Sequence, residues 1–187
     1  LNSIEAELAA AVAGGVTSVV VPPDADPPLD EPELADRLVH RGTEIGKARV
    51  LPLGALTLGL NGERLAELAG LKKAGCVAFS QANRPVTDTE ALLRAMEYAA
   101  TFGFAIWLQP QDYWLSRNGI AHEGEVSSRL GLAGIPVAAE TIAVGTIVQL
   151  VRDTGCRVHL TRLSSAAGVA LTQRAQNEGL PITFDIG

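Results

Sequence analysis

The chain has 187 residues, of which 47% are hydrophobic and 19% are charged, and its formal net charge is −6. This length and composition predict a single globular domain built around one core. The negative charge argues against nucleic acid and anionic membranes as main partners, because both bind through clustered Lys and Arg side chains. No apolar run reaches the roughly 18 residues of a membrane-spanning helix.

Short apolar runs rich in β-branched residues alternate with helical patterns along the whole chain. This alternation predicts an α/β protein in which parallel strands are each followed by a helix. The predicted strands open near Val16, Arg49, Cys76, Phe104, Arg157 and Pro181.

Helix boundaries are marked by residues that favour the first turn. The patterns Asn2-x-x-Glu5 and Thr87-x-x-Glu90 resemble N-terminal caps, and Pro32 suits the first turn of the second helix. A longer segment, residues 109–136, separates the fourth strand from a helix expected over residues 138–154. A loop of this length above a strand is typical of a functional loop or a contact surface.

Cys76 and Cys156 are the only cysteines of the chain. Each lies beside a predicted strand, and the two are far apart in the sequence. This arrangement predicts two reduced, buried thiols rather than a disulfide or a pair of metal ligands. Reduced thiols in turn indicate a cytoplasmic protein.

Six parallel strands form either an open doubly wound sheet or part of a (β/α)8 TIM-type barrel. After the first strand the chain reads Pro22-Pro23-Asp24-Ala25-Asp26-Pro27-Pro28. This segment lacks the Gly-x-Gly-x-x-Gly pattern that binds a dinucleotide phosphate, which disfavours the doubly wound sheet. A complete barrel takes about 250 residues. We therefore expect residues 1–187 to form a single, incomplete barrel domain that lacks at least the first and last strands.

Polar side chains follow three of the predicted strands, where parallel βα folds place their ligands. The stretches are Phe79-Ser80-Gln81, Gln109-Pro110-Gln111-Asp112 and His159-Leu160-Thr161-Arg162-Leu163-Ser164. Amide and guanidinium groups predominate there. These groups are poor metal ligands, but together they suit a carboxylate or a phosphate.

Several stretches carry a more specific signal. They are Ala13-Gly14-Gly15-Val16-Thr17-Ser18-Val19-Val20-Val21 with Pro27-Pro28-Leu29-Asp30, then Ala78-Phe79-Ser80, Arg84-Pro85-Val86 and His122-Glu123-Gly124-Glu125-Val126-Ser127-Ser128-Arg129-Leu130-Gly131-Leu132. Together they resemble dihydroorotase of the amidohydrolase superfamily, over essentially the whole chain. The stretch within residues 124–132 is the most specific of them.

The resemblance implies a barrel whose family members hold one or two zinc ions, which turn water into hydroxide and polarise the ring amide of dihydroorotate. The family's ligands are imidazoles and carboxylates. At the matching positions this chain has Gln81 for a carboxylate, and Gln109 and Arg162 for imidazoles. Asp24 stands where the family has an Asn that helps to hold the anionic substrate. The resemblance therefore implies no bound metal and no catalytic residue in this chain, because a guanidinium has no lone pair to offer.

Each of these residues also has a structural interpretation. Asp112 would cap the turn after its strand, and His159 would be a core or supporting histidine. Gln81, Gln109 and Arg162 would either fill a vacated cavity or bind an anion. With Asp24, these residues form the predicted vestigial pocket.

Inactive homologues in this family are associated with aspartate carbamoyltransferase. The resemblance thus implies a pseudoenzyme of pyrimidine biosynthesis, a homo- or hetero-oligomer that supports assembly with aspartate carbamoyltransferase and binds neither nucleic acid nor membrane. One alternative is an active zinc-dependent dihydroorotase or related cyclic amidohydrolase, which would use His159, Asp112 and Asp185 or ligands on strands outside this chain. Another is a small-anion-binding module anchored by Arg162.

Overall fold

The computed structural model describes residues 3–187 as two compact units. One unit ends at Ala82, and the other runs from Asn83 to Gly187. Both alternate helices with parallel strands, which confirms the predicted α/β class. All six predicted strands are present, and each begins no more than two residues after its predicted start. No helix among residues 3–187 is long and apolar enough to cross a membrane.

The first unit contains three parallel strands, each preceded by a helix. Strand β1 pairs with β2, and β2 pairs with β3. Gly42 allows α2 to approach β2 closely, because a Cβ at this position would overlap the side chain of Val50. The elements in chain order are α1 (Ile4–Ala13), β1 (Ser18–Val21), α2 (Pro32–Ile45), β2 (Arg49–Ala55), a 3₁₀ turn (Leu58–Leu60), α3 (Leu68–Lys73) and β3 (Ala78–Ser80).

The second unit is built on three parallel strands in the order β4, β7, β8. Two further short strands, β5 and β6, pair with each other. They lie within residues 109–136, where no strand was predicted. The elements are α4 (Thr89–Thr101), β4 (Ala105–Leu108), α5 (Tyr113–Ser116), β5 (Ala121–His122), α6 (Glu125–Leu130), β6 (Gly134–Ile135), α7 (Val137–Thr154), β7 (Arg157–Leu163), α8 (Ala166–Asn177) and β8 (Ile182–Ile186).

The observed helix caps differ in part from the caps predicted from the sequence. Pro32 occupies the first turn of α2 as predicted. The predicted Asn2 cap lies outside the described residues, and the hydroxyl of Ser3 accepts the Ala6 N–H at 3.3 Å. The predicted Thr87 cap is wrong by one residue, because the carboxylate of Asp88 caps α4 instead. A carboxylate is the better acceptor for the unpaired N–H groups of a first helical turn.

Both cysteines are free and buried, as the sequence predicted. Burial raises the pKa of Cys76 to about 11, against the opposing charge of Lys72. Burial likewise raises the pKa of Cys156 to about 11, against the charge of Arg157. Because the thiolate is the reactive form, both side chains are held in their unreactive state at neutral pH.

We therefore expect neither cysteine to react rapidly with 5,5′-dithiobis(2-nitrobenzoate) in the native protein at pH 7. Both should react fully in denaturant, where burial is lost and the thiol pKa returns to about 8.5. The absorbance of the 2-nitro-5-thiobenzoate released from the reagent measures the number of reacted thiols in the native and the denatured protein. Rapid stoichiometric labelling of the native protein would contradict this expectation.

Candidate functional site

A β-bulge shapes the carboxyl end of β7. Leu160 pairs with Phe184 and Leu163 pairs with Ile186, so two residues of β7 lie opposite the single residue Asp185 of β8. The second of the two, Arg162, has a φ of 57°, in the left-handed region that side chains other than Gly rarely adopt. Such bulges bend a strand and change the direction of a side chain.

The carboxylate of Asp185 compensates for the hydrogen bonding that the bulge disrupts. Its Oδ1 accepts the backbone N–H of Arg162 at 2.6 Å, and its Oδ2 lies 3.0 Å from Nε2 of His159. Desolvation acts to raise the pKa of Asp185, but the hydrogen bonds from Arg162 and His159 and their charges outweigh it and lower the pKa. Asp185 is therefore ionised at neutral pH.

Both ring nitrogens of His159 are occupied. Its Nδ1 lies 2.8 Å from the hydroxyl of Thr183. Because an ionised carboxylate only accepts, Nε2 is the donor toward Asp185. The ring also packs on Trp107, with 4.5 Å between ring centroids. His159 is thus a supporting histidine, as the structural interpretation predicted, and has no lone pair directed at a ligand.

Two residues at predicted ligand positions bind each other. Nη2 of Arg162 donates to Oε1 of Gln109 at 2.6 Å. Gln109 follows β4 directly, and the adjacent Leu108 pairs with Leu160 of β7, so the carboxyl ends of these two strands meet. Nε2 of Gln109 in turn donates to Oε1 of Gln111 at 3.4 Å. Arg162 is exposed.

Gln81 behaves differently. It lies in the first unit, after β3, and is 1% exposed. Its amide atoms lie 3.0 Å and 2.9 Å from the hydroxyl of Thr57, which also accepts the N–H of Gly62 at 2.9 Å. Gln81 is therefore a buried and satisfied side chain that holds the turn after β2.

The two predicted aspartates occupy peripheral positions. Asp112 accepts the N–H of Leu115 at 2.9 Å and caps α5, which confirms the capping interpretation. Asp24 is exposed, in the segment between β1 and α2.

Glu140 of α7 anchors the segment that follows the bulge. Its carboxylate is nearly buried and accepts four hydrogen bonds, from the backbone N–H and the hydroxyl of both Ser164 and Ser165, at 2.5–3.0 Å. The hydroxyl of Ser165 also accepts the N–H of Gly168 and caps α8. A side chain at Gly168 would collide with Glu140, so this contact requires glycine. The anchor fixes the chain two residues after Arg162.

The family model described as "Dihydro-orotase-like" matches residues 2–167. The chain belongs to the dihydroorotase-like family. A dihydroorotase-like protein of Pseudomonas aeruginosa is 46% identical over 185 residues, which cover 99% of this chain and 44% of that relative. A dihydroorotase of Anaeromyxobacter sp. strain K is 41% identical over 177 residues, which cover 95% of this chain and 41% of the relative. The chain thus spans less than half the length of these relatives.

The fold of this dihydroorotase-like chain matches L-hydantoinase (dihydropyrimidinase) from Arthrobacter aurescens with a TM-score of 0.75. The match has 20% sequence identity and covers 99% of this chain and 42% of that enzyme. The fold class is an incomplete (β/α)8 barrel, as the sequence predicted, and not a doubly wound sheet.

Three residues that hold these side chains and segments in place were not predicted from the sequence. They are Thr57, Glu140 and Thr183. Asp185 entered only as part of an alternative. Apolar and polar residues alternate along Ile182-Thr183-Phe184-Asp185-Ile186. Because side chains of a strand alternate between its two faces, this pattern predicts Thr183 and Asp185 on one face of β8. No comparable pattern marks Glu140, which lies in a helix.

Replacing Glu140 by Gln is expected to lower the free energy of unfolding by about 2–4 kcal/mol. The amide would keep one acceptor oxygen but turn an NH₂ group toward serine donors. Urea denaturation measures the change. Glu178→Gln is the matched control, since Glu178 is exposed and pairs with Arg152 at the surface, where an ion pair contributes less than about 1 kcal/mol. Equal stability of the two variants would contradict the anchoring role of Glu140.

Proposed function

We propose that the protein is a non-catalytic member of the dihydroorotase-like family that serves pyrimidine biosynthesis as a structural subunit in the cytoplasm. The observation that carries the proposal is the hydrogen bond from Arg162 to Gln109. It joins two positions where the family resemblance implies imidazole ligands of zinc. A guanidinium stays protonated in proteins and repels a dication at short range.

The other residues of the predicted pocket do not compensate for this loss. His159 has both nitrogens engaged by Thr183 and Asp185. Gln81 offers only a neutral amide, which is already bonded to Thr57. Across residues 3–187, no group of three His, Cys, Asp or Glu side chains is placed to hold a metal ion. The residues present therefore do not fit the family's zinc centre, and no hydrolytic step is assigned to them.

The protein purified after equilibration with zinc is expected to hold no stoichiometric zinc in this barrel and to hydrolyse no dihydroorotate above a metal-free control. Arg162→His alone should not restore turnover, because one imidazole does not rebuild a centre whose other donors are amides. Elemental analysis and an assay of ring opening measure the two quantities. Stoichiometric zinc bound by these side chains, or turnover, would refute the proposal.

A surface on the second unit supports a role in assembly. The segment between β4 and α7 exposes seven large apolar side chains, including Trp114 at 64% and Ile120 at 73% exposure. Exposed apolar side chains mark contact sites where they form a contiguous patch. The exposed residues are Tyr113, Trp114, Leu115, Ile120, Val126, Leu130 and Leu132.

We propose aspartate carbamoyltransferase as the partner, because inactive homologues in the family assemble with it. A permanent assembly would bury about 2,000 Å² or more in total. The segment 113–132 contains the dihydroorotase-like stretch Gly124–Leu132, whose pattern matches the family while the ligand positions differ. That contrast supports a function that depends on shape and surface.

Deleting this protein should lower the transcarbamoylase activity of the cell or shrink the transcarbamoylase assembly, even when an active dihydroorotase is supplied. The double change Ile120→Glu with Leu130→Glu should release the partner in size-exclusion chromatography, because it places two charges on the proposed contact surface. Ile142→Glu is the matched control, an exposed apolar residue of α7 outside the segment. The proposal fails if the transcarbamoylase keeps its size, stability and rate without this protein.

A second candidate function, an active cyclic-amide hydrolase, is favoured by relatives named dihydroorotase that are 41% identical to this chain. It would draw on His159, which lies 3.0 Å from Asp185, and on residues beyond this chain. The turnover assay separates the two candidates, because only the hydrolase opens the ring of dihydroorotate.

A further inference from the structure

Arg162 fixes the orientation of two amide side chains. A guanidinium only donates, so Gln109 must turn its oxygen toward Arg162 and its NH₂ group away. That NH₂ group donates to Gln111, which must therefore present its own oxygen to Gln109. The direction of the whole chain of hydrogen bonds follows from the charge at one end.

In this orientation the amide oxygens are used as acceptors, and N–H groups remain as donors. The oxygens of Gln109 and Gln111 are both engaged within the chain of hydrogen bonds. Among residues 3–187, no partner is bonded to Nε or Nη1 of Arg162 or to the NH₂ group of Gln111. The carboxyl ends of β4 and β7 thus present a cation and an amide with unused N–H groups, which is the chemistry of an anion site.

The backbone also favours this arrangement. Arg162 is held at a φ of 57° within a bulge, and its N–H is tied to Asp185. A non-glycine residue in this region is strained, and such strain persists where surrounding contacts enforce it. Here the bulge directs an exposed guanidinium toward Gln109 at the strand ends, where parallel folds bind ligands.

From this geometry we propose that Arg162 and Gln111 bind the carboxylate group of a small molecule, with Gln109 fixing their orientation. The planar fork of a guanidinium matches the two oxygens of a carboxylate. The inference is independent of the partner proposed above, because it concerns a ligand of the strand ends and not the surface of segment 113–132.

The charges around the site favour a singly charged ligand. The carboxylate of Asp185 is bonded to the backbone of Arg162, and its oxygens are directed at that N–H group and at His159. They leave the guanidinium of Arg162 available, but they oppose a second negative charge. A monocarboxylate should therefore bind better than the phosphate dianion.

The test is a titration of the ¹⁵N-labelled protein with sodium acetate at constant ionic strength, followed by NMR at Nε of Arg162 and the side-chain amide of Gln111. Both signals should shift and saturate together. Arg162→Asn should weaken binding tenfold or more, since it removes a charged donor. Asn is chosen because it tolerates a left-handed backbone. Gln111→Glu, a second variant away from the bulge, should weaken binding as strongly by adding a like charge.

Arg129→Gln is the control, an exposed arginine of α6 that should leave the dissociation constant unchanged. A parallel titration with inorganic phosphate tests the ligand class. Unchanged acetate binding in both Arg162→Asn and Gln111→Glu would overturn the site. Tighter binding of phosphate than of acetate would overturn its assignment to carboxylates, and shifts that never saturate would overturn both.

Discussion

The contact between the carboxylate of Asp185 and the backbone of Arg162 is the constraint on which the site depends. A bulge at Thr161 and Arg162 removes a backbone N–H from the ladder, and a buried or half-buried N–H without an acceptor is costly. Asp185 supplies that acceptor from the neighbouring strand and binds His159 with its other oxygen. The same carboxylate thereby supports the bulge and holds Nε2 of the histidine as a donor.

A single exchange of a side chain alters the chemistry of the whole strand end. An imidazole at position 162 would offer a lone pair, whereas the guanidinium offers only donors. The side-chain oxygen of Gln109 accepts from the guanidinium, and the side-chain oxygen of Gln111 accepts from the NH₂ group of Gln109. The result is a polar network that is organised by a fixed positive charge of the protein itself. Metal chemistry and anion recognition place opposite demands on these positions, because a metal ion needs lone pairs and an anion needs donors.

The residues at two positions where the family resemblance implies metal ligands have different surroundings. Gln81 is buried and bonded to Thr57, so it serves packing and turn geometry. Arg162 is exposed, and its Nη2 is bonded to Gln109. The two positions therefore differ in their exposure. Elsewhere in the second unit, large apolar residues of segment 113–132 are exposed.

The sequence by itself determined the α/β class, the starts of the six strands to within two residues and the identity of the side chains that follow them. It also determined that Arg162 has no lone pair, since that is a property of the residue type. Only the tertiary structure decided that Gln81 is buried while Arg162 is exposed, that the cap of α4 is Asp88, and that Asp185 joins Arg162 to His159. These features arise from pairing between strands far apart in sequence. The register of β7 against β8 and the position of its bulge decide where a side chain points, and a local pattern of residues carries neither.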